Sequence, residues 1–207
     1  SLSEQEVINK YDNIMLHNMC VPVFKKLLNK KSNDIVKMSQ DKKYVKVEGK
    51  NFTYIIKKRD GKYFNIDNMI NANFDKSFTV NCKNFFEVCN DAYNLIKLQG
   101  KECRVPMIMH MEEGKIYAYT HTVRYESFTS IDAEHIIMNN MIIGFNPRYL
   151  TEALGIIDVE KANVKLVSSK APIIIEGNEY LFLILPIYIK DDINYEEVFR
   201  RLIEKAA

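Results

Sequence analysis

The sequence predicts an α+β fold, antiparallel sheet with helices packed on one face. Three observations carry that prediction. Strand-like runs rich in β-branched and aromatic residues dominate the chain, several of them follow one another with no helix between, and the order of elements partly repeats.

Residues 4–19 mix Asn, His and Met with weak periodicity. From Val21 the pattern sharpens: Pro22 sits where a first helical turn tolerates it, and Val23, Phe24, Leu27 and Leu28 recur at helical spacing. Lys25, Lys26, Lys30 and Lys31 lie on or beside the other face, so this short amphipathic helix has a basic side. Strand-like runs follow at 34–39, 43–48 and 52–58, with Gly49 marking the turn between the last two. The polar stretch from Arg59-Asp60-Gly61 to Asn71 and Asn73 reads as a linker, placing a boundary after residue 71.

The next unit, 72–189, opens with a strand at 77–80 and a helix at 82–98. Phe85, Phe86, Val88, Cys89, Ala92, Leu95 and Ile96 form the buried side of that helix. Lys83, Asn84, Glu87, Asp91, Asn94 and Lys97 face outward, and Gly100 stands at the C-cap. Strands then run at 104–111, 115–123, 125–131 and 136–145, with Glu113-Gly114 as a turn, before a second helix at 147–157. Three more strands, 163–168, 172–176 and 180–188, close the unit. In the last segment, 190–207, Tyr195, Val198, Phe199 and Leu202, with Ala206 as a candidate extension, make an apolar stripe, and Glu196 and Glu197 precede Arg200 and Arg201 by four residues. That order suits a helix and its dipole.

At 207 residues the chain amounts to roughly 1.4 domains of ordinary size. With 47% hydrophobic and 27% charged residues, 7 Gly and 5 Pro, it is neither collagen-like, low-complexity nor disordered. A net charge of +2 excludes the strongly basic type that coats nucleic acid indiscriminately, so any positive surface must come from local clustering. Four cysteines without a C-x-x-C pair read as reduced thiols in a cytoplasm. No apolar run approaches a membrane span, and no signal-peptide pattern occurs.

Catalytic motifs are missing: there is no Gly-rich phosphate loop, G-x-S-x-G elbow or H-E-x-x-H helix. His110 and His121 lie on neighbouring strands and could face each other across a hairpin, but a metal needs further ligands on the same face. Glu112-Glu113 reads as a solvated hairpin tip. The expectation is no enzyme, no metal and no cofactor.

Three segments are more specific. Ile55-Ile56-Lys57-Lys58-Arg59-Asp60-Gly61-Lys62-Tyr63-Phe64-Asn65-Ile66 resembles the R-L-I-x-G-x-F-P-D-Y strand and turn that closes the middle domain of bacterial sliding clamps, the β subunits of replicative DNA polymerase. Ile142-Ile143-Gly144-Phe145-Asn146-Pro147-Arg148-Tyr149-Leu150 and Tyr180-Leu181-Phe182-Leu183-Ile184-Leu185-Pro186-Ile187 resemble the I-G-F-N-x-x-Y-L helix start and Y-L-x-L-x-M-P-V-R terminal strand of the third domain. Order and separation also match, over about residues 21–189. The resemblance implies a sliding-clamp fold, with 1–71 the second half of a middle domain, 72–189 a complete third domain, and 190–207 a helical tail outside the family pattern.

The resemblance also implies function. A clamp encloses double-stranded DNA without reading its sequence, a task for lysines on inward helix faces. Those candidates are Lys25, Lys26, Lys30, Lys31, Lys83, Lys97, Lys101 and Arg148, for which ordinary solvated helix faces are the alternative. Clamps also bind polymerases and other proteins through short peptides. By motif position that groove comprises Phe64, Asn68, Met69, Asn146, Tyr149, Leu183, Ile184, Leu185, Pro186 and Ile187, with a strand and helix cap as the structural alternative. Phe64 stands where the family has Pro, Tyr188 where it has Arg, and the T-D-x-x-R segment of the other groove wall has no counterpart in 1–20. The tail could fill the groove, cover exposed apolar sheet or mediate assembly. A homo-oligomer acting in bacterial or phage replication is the implied whole; a clamp-fold module that does not encircle DNA is the alternative.

Overall fold

The computed structural model describes residues 14–28, 35–61, 65–99, 105–112, 114–135, 141–189 and 192–206. The chain divides into two compact units, 1–65 and 66–207. The division falls within the polar stretch read as a linker, and the boundary read after residue 71 lies inside the second unit, just after a short helix.

Unit 1 contains α1 (Cys20–Leu27) and an antiparallel sheet of β1 (Lys37–Gln40), β2 (Tyr44–Gly49) and β3 (Phe52–Lys57), in that order. Alternation sets the core face: Val45, Val47 and Ile56 are buried, Lys46 and Glu48 are half-buried, and Tyr44, Ile55 and Lys57 are exposed. Phe24 of α1 meets Tyr54 edge-to-face at 5.7 Å, which seats the helix on that side. At the β1–β2 corner the Asp41 carboxylate accepts hydrogen bonds from the backbone N–H groups of Lys43 and Tyr44, at 2.7 and 2.6 Å. Those two bonds hold its pKa below the ordinary value.

Unit 2 contains α2 (Asp67–Ile70), β4 (Lys76–Asn81), α3 (Cys82–Lys97), β5 (Met107–Glu112), β6 (Lys115–His121), β7 (Glu126–Glu134), β8 (Met141–Phe145), α4 (Pro147–Leu154), β9 (Lys161–Leu166), β10 (Ile173–Gly177), β11 (Tyr180–Ile184) and α5 (Tyr195–Ala206). The expected strand, helix, four strands, helix and three strands are all present. Its eight-stranded antiparallel sheet has the order β11-β10-β9-β4-β7-β6-β5-β8.

That order is two copies of one motif, strand, helix and three-stranded meander, with the first strands exchanged. β4 pairs along β9 of the second half, while β8 pairs along β5 of the first. Each exchanged strand runs into an Asn that caps the next helix: Asn81 Oδ1 accepts from Asn84 N, and Asn146 Oδ1 from Arg148 N, both at 3.1 Å. Pro147 at the first helical position needs no donor there.

The core lies between the sheet and the paired helices α3 and α4. Phe78, Phe85, Phe145, Leu150, Met107, Met109 and Met111 are among its largest fully buried side chains. The alternate residues of β5, Ile108 and His110, point to the opposite face, which α5 covers.

Several element ends differ from the sequence reading. The last strand stops at Ile184 rather than 188, because Pro186 has no N–H to continue the ladder. Ile187 instead donates to Gly144 O at 2.7 Å and forms a lone bridge to β8. Gly100 and residues 136–140 lie outside the described residues.

The same meander recurs in both units. Gly49 pairs with Phe52 as Gly177 pairs with Tyr180, Val47 with Tyr54 as Ile175 with Phe182, and Met38 with Val47 as Val164 with Ile175. Strand for strand, β1-β2-β3 therefore corresponds to β9-β10-β11. Among the described residues, unit 1 has the helix and three-stranded meander of the second half of unit 2, without its first strand.

Candidate functional site

Three regions carry the residues singled out from the sequence. The first is the set of helix faces. Lys25 and Lys26 lie exposed in the last turn of α1, where cations suit the helix dipole. No ion pair between described residues engages them. Lys30, Lys31 and Lys101 lie outside the described residues.

On unit 2, Lys83 and Lys97 are exposed on α3, and Lys97 Nζ sits 5.2 Å from the centre of the Tyr93 ring. Arg148 is exposed but not free: its Nε donates to Glu152 Oε1 at 2.8 Å, and that carboxylate raises its pKa. The outer faces of α3 and α4 thus bear Lys83, Lys97 and Arg148 against Glu87, Asp91 and Glu152. Their charges cancel.

The second region is the end of β11 and the start of α4. Leu183 is half-buried and Leu185 is 61% exposed, whereas Ile184 between them is buried in the main core. Tyr149 is 53% exposed. Asn146 is occupied as the cap of α4. Pro186 and Ile187 line a cleft of about 500 Å³ walled by Ile142, Lys170, Tyr188 and the first residues of α5. Asn68 and Met69 are exposed on α2, and Phe64 lies outside the described residues. Sequence reasoning missed Tyr180 and Leu181, which add exposed apolar surface to β11.

The third region is the sheet face beneath α5. Phe199 is fully buried there, 5.0 Å from the His110 ring and about 6 Å from the rings of Tyr119 and Phe128. Tyr195, Val198, Leu202 and Ile203 extend the contact. Of the roles read for the tail, this contact is coverage of apolar sheet, and the first residues of α5 also wall the cleft that Pro186 and Ile187 line.

His110 and His121 do not face each other. The β5–β6 register pairs His110 with Tyr117, and His121 stands opposite Glu126 on β7. His110 Nε2 lies 3.1 Å from Glu112 Oε2. Among the described residues no cluster of three His, Cys, Asp or Glu side chains is placed to hold a metal ion. Burial pushes up the thiol pKa of Cys82 and, more strongly, of fully buried Cys89.

An antiparallel sheet of two strand-exchanged halves, each with a helix on its core face, is the architecture of a sliding clamp. Solved structures match it. A Caulobacter crescentus pol III beta structure aligns at a TM-score of 0.72 and 14% identity over 87% of this chain and 48% of its own. One from Eubacterium rectale, assigned as a DNA polymerase III beta subunit, aligns at 0.69 and 25% identity over 86% and 49%. The Pseudomonas aeruginosa DnaN sliding clamp bound to griselimycin aligns at 0.66 and 16% identity over 85% and 47%. This chain spans about half the length of each. No curated protein matches the sequence. The family model for the DNA polymerase III beta subunit, C-terminal domain, matches residues 67–182, and the chain belongs to that family.

Proposed function

We propose that the chain serves as a non-catalytic part of a DNA sliding clamp in bacterial or phage replication, helping to hold the polymerase on double-stranded DNA and offering partner proteins a peptide groove. The observation that carries this reading is the family match across unit 2, 67–182, joined to a unit 1 that repeats the register of its second half. Lys25 and Lys26, with Lys30 and Lys31 next along the chain, are the proposed phosphate contacts, and Lys83, Lys97, Lys101 and Arg148 are secondary ones. Tyr149, Leu183, Leu185, Pro186 and Ile187 form the proposed groove wall, with Phe64, Asn68 and Met69 contributing beyond it. Asn146 and Ile184 support that wall as helix cap and core.

Relatives of this family are about twice as long, so ring closure requires further polypeptide or several copies of this chain. The cancelled charge on α3 and α4 favours a second reading, a clamp-fold docking module that does not encircle DNA. Cytoplasmic action fits either; no helix among the described residues is long and apolar enough to cross a membrane.

Retention on nicked circular DNA before and after linearisation separates the two. Enclosure predicts retention on circles and loss when ends appear. Equal retention, or none on either form, overturns it.

A further inference from the structure

The family match ends at residue 182, and the cleft of about 500 Å³ in unit 2 is built mostly from the chain that follows. Its floor is apolar, formed by Ile142, Pro186, Ile187, Ile189 and Ile193, and its volume is that of an ordinary ligand site. The start of α5 makes one wall, and that wall is fixed at two points. Phe199 is fully buried beneath the helix, and Asn194 Oδ1 accepts from the Glu197 N–H at 3.2 Å to cap it. The walls carry opposite charges, Lys170 from the turn between β9 and β10 and Glu196 from α5. Pro186 and Ile187 belong both to this cleft and to the groove wall proposed above, so a peptide that lies in the groove and continues past Ile187 enters the cleft.

We propose that the cleft takes the continuation of a partner's groove-bound peptide. An aliphatic side chain of that peptide sits on Ile142, Ile187 and Ile193, flanked by an acidic residue facing Lys170 and a basic one facing Glu196. Apolar burial supplies affinity, and the two charges set the direction in which the peptide runs. α5 thereby does more than cover sheet: it restricts which partners fit. The identity of the occupant rests on the groove reading, whereas the preference for an aliphatic residue between opposite charges rests on the cleft alone.

The probe is the capped peptide acetyl-Ala-Asp-Ile-Lys-Ala-amide, which has no groove-binding part, titrated into the isotope-labelled full chain and followed by backbone NMR. Saturable one-to-one shifts at residues 142, 169–170, 186–189 and 193–196 are expected. Replacing the peptide's Ile by Gly should abolish them, a test made on unaltered protein. Lys170 is exposed, so Lys170→Glu should leave the rest of the spectrum in place while weakening the probe by about fivefold, and exchanging the probe's Asp for Lys should restore binding. Leu185→Ala, which tests the groove, should leave probe binding unchanged, so the two readings fail separately. No saturable shifts at millimolar probe, shifts that survive the Gly replacement, or affinity indifferent to Lys170→Glu overturn the proposal.

Discussion

Gly144 and Ile187 join the two ends of the eight-stranded sheet: the Ile187 N–H donates to Gly144 O at 2.7 Å, bridging β8 to the chain that leaves β11. A Cβ on Gly144 would lie 3.2 Å from Ile187 O and 3.0 Å from the Ile189 side chain, so any larger residue at the crossing makes these neighbours give way. Gly144→Val should destabilise unit 2 by about 1–3 kcal/mol, and Gly144→Ala by less, as read from urea midpoints.

Ile184 and Leu185 are adjacent and opposite in role, one buried in the core and the other 61% exposed. Ile184→Ala should cost about 2–5 kcal/mol of stability. Leu185→Ala should change stability by less than about 0.5 kcal/mol yet weaken binding of a clamp-binding peptide. Calorimetry of that peptide against both variants checks the pair; full peptide affinity in Leu185→Ala removes the groove assignment.

Phe199 holds α5 to the sheet. Its truncation to Ala should cost about 3 kcal/mol, concentrated in detachment of the helix. Limited proteolysis should then cut within 192–206 while the rest of unit 2 stays intact.

Tyr119, beneath α5, has its pKa pushed up to about 12, first by burial and then by the hydrogen bond it donates to Glu126 at 2.9 Å. Its ordinary value is 10. Between these values the unfolded chain has released the proton and the folded chain still holds it. The contribution is therefore complete below pH 10 and is lost as pH rises toward 12. Tyr119→Phe should flatten that part of the stability profile relative to the parent protein, measured by urea midpoints from pH 9 to 12.

Charge arithmetic yields opposite expectations for two sets of variants. Replacing Lys25, Lys26, Lys30 and Lys31 with Ala should weaken DNA association and flatten its salt dependence, by up to about one unit of slope for each phosphate no longer neutralised. Glu87→Gln, Asp91→Asn and Glu152→Gln together should strengthen association if the α3–α4 face lines DNA. Unchanged salt titrations in both sets would assign these faces to solvent.

The order of elements was legible because alternation in runs such as 43–48 and the helical spacing of Phe85, Cys89, Ala92 and Ile96 each define one buried side. The clamp resemblance was legible in Gly144-Phe145-Asn146-Pro147, where a close crossing, a capping Asn and a first-turn Pro each restrict the residue type. The facing of the last strand was not. Tyr180 to Leu185 is apolar at every position, so period-two alternation cannot say that Phe182 and Ile184 turn inward while Leu183 and Leu185 turn out. Nor could spacing show that Arg148 is held by Glu152, or that His110 and His121 lie out of register, since both depend on pairings fixed in three dimensions.

The exchange of β4 and β8 between the halves of unit 2 also bears on how the molecule is made. During synthesis β4 emerges long before β9, its partner along the full strand length. The first half therefore waits with an unsatisfied strand edge until nearly the whole unit has left the ribosome. An unpaired strand edge held over that interval is open to aggregation, and pairing across so long a sequence separation is slow relative to the local contacts of a helical domain.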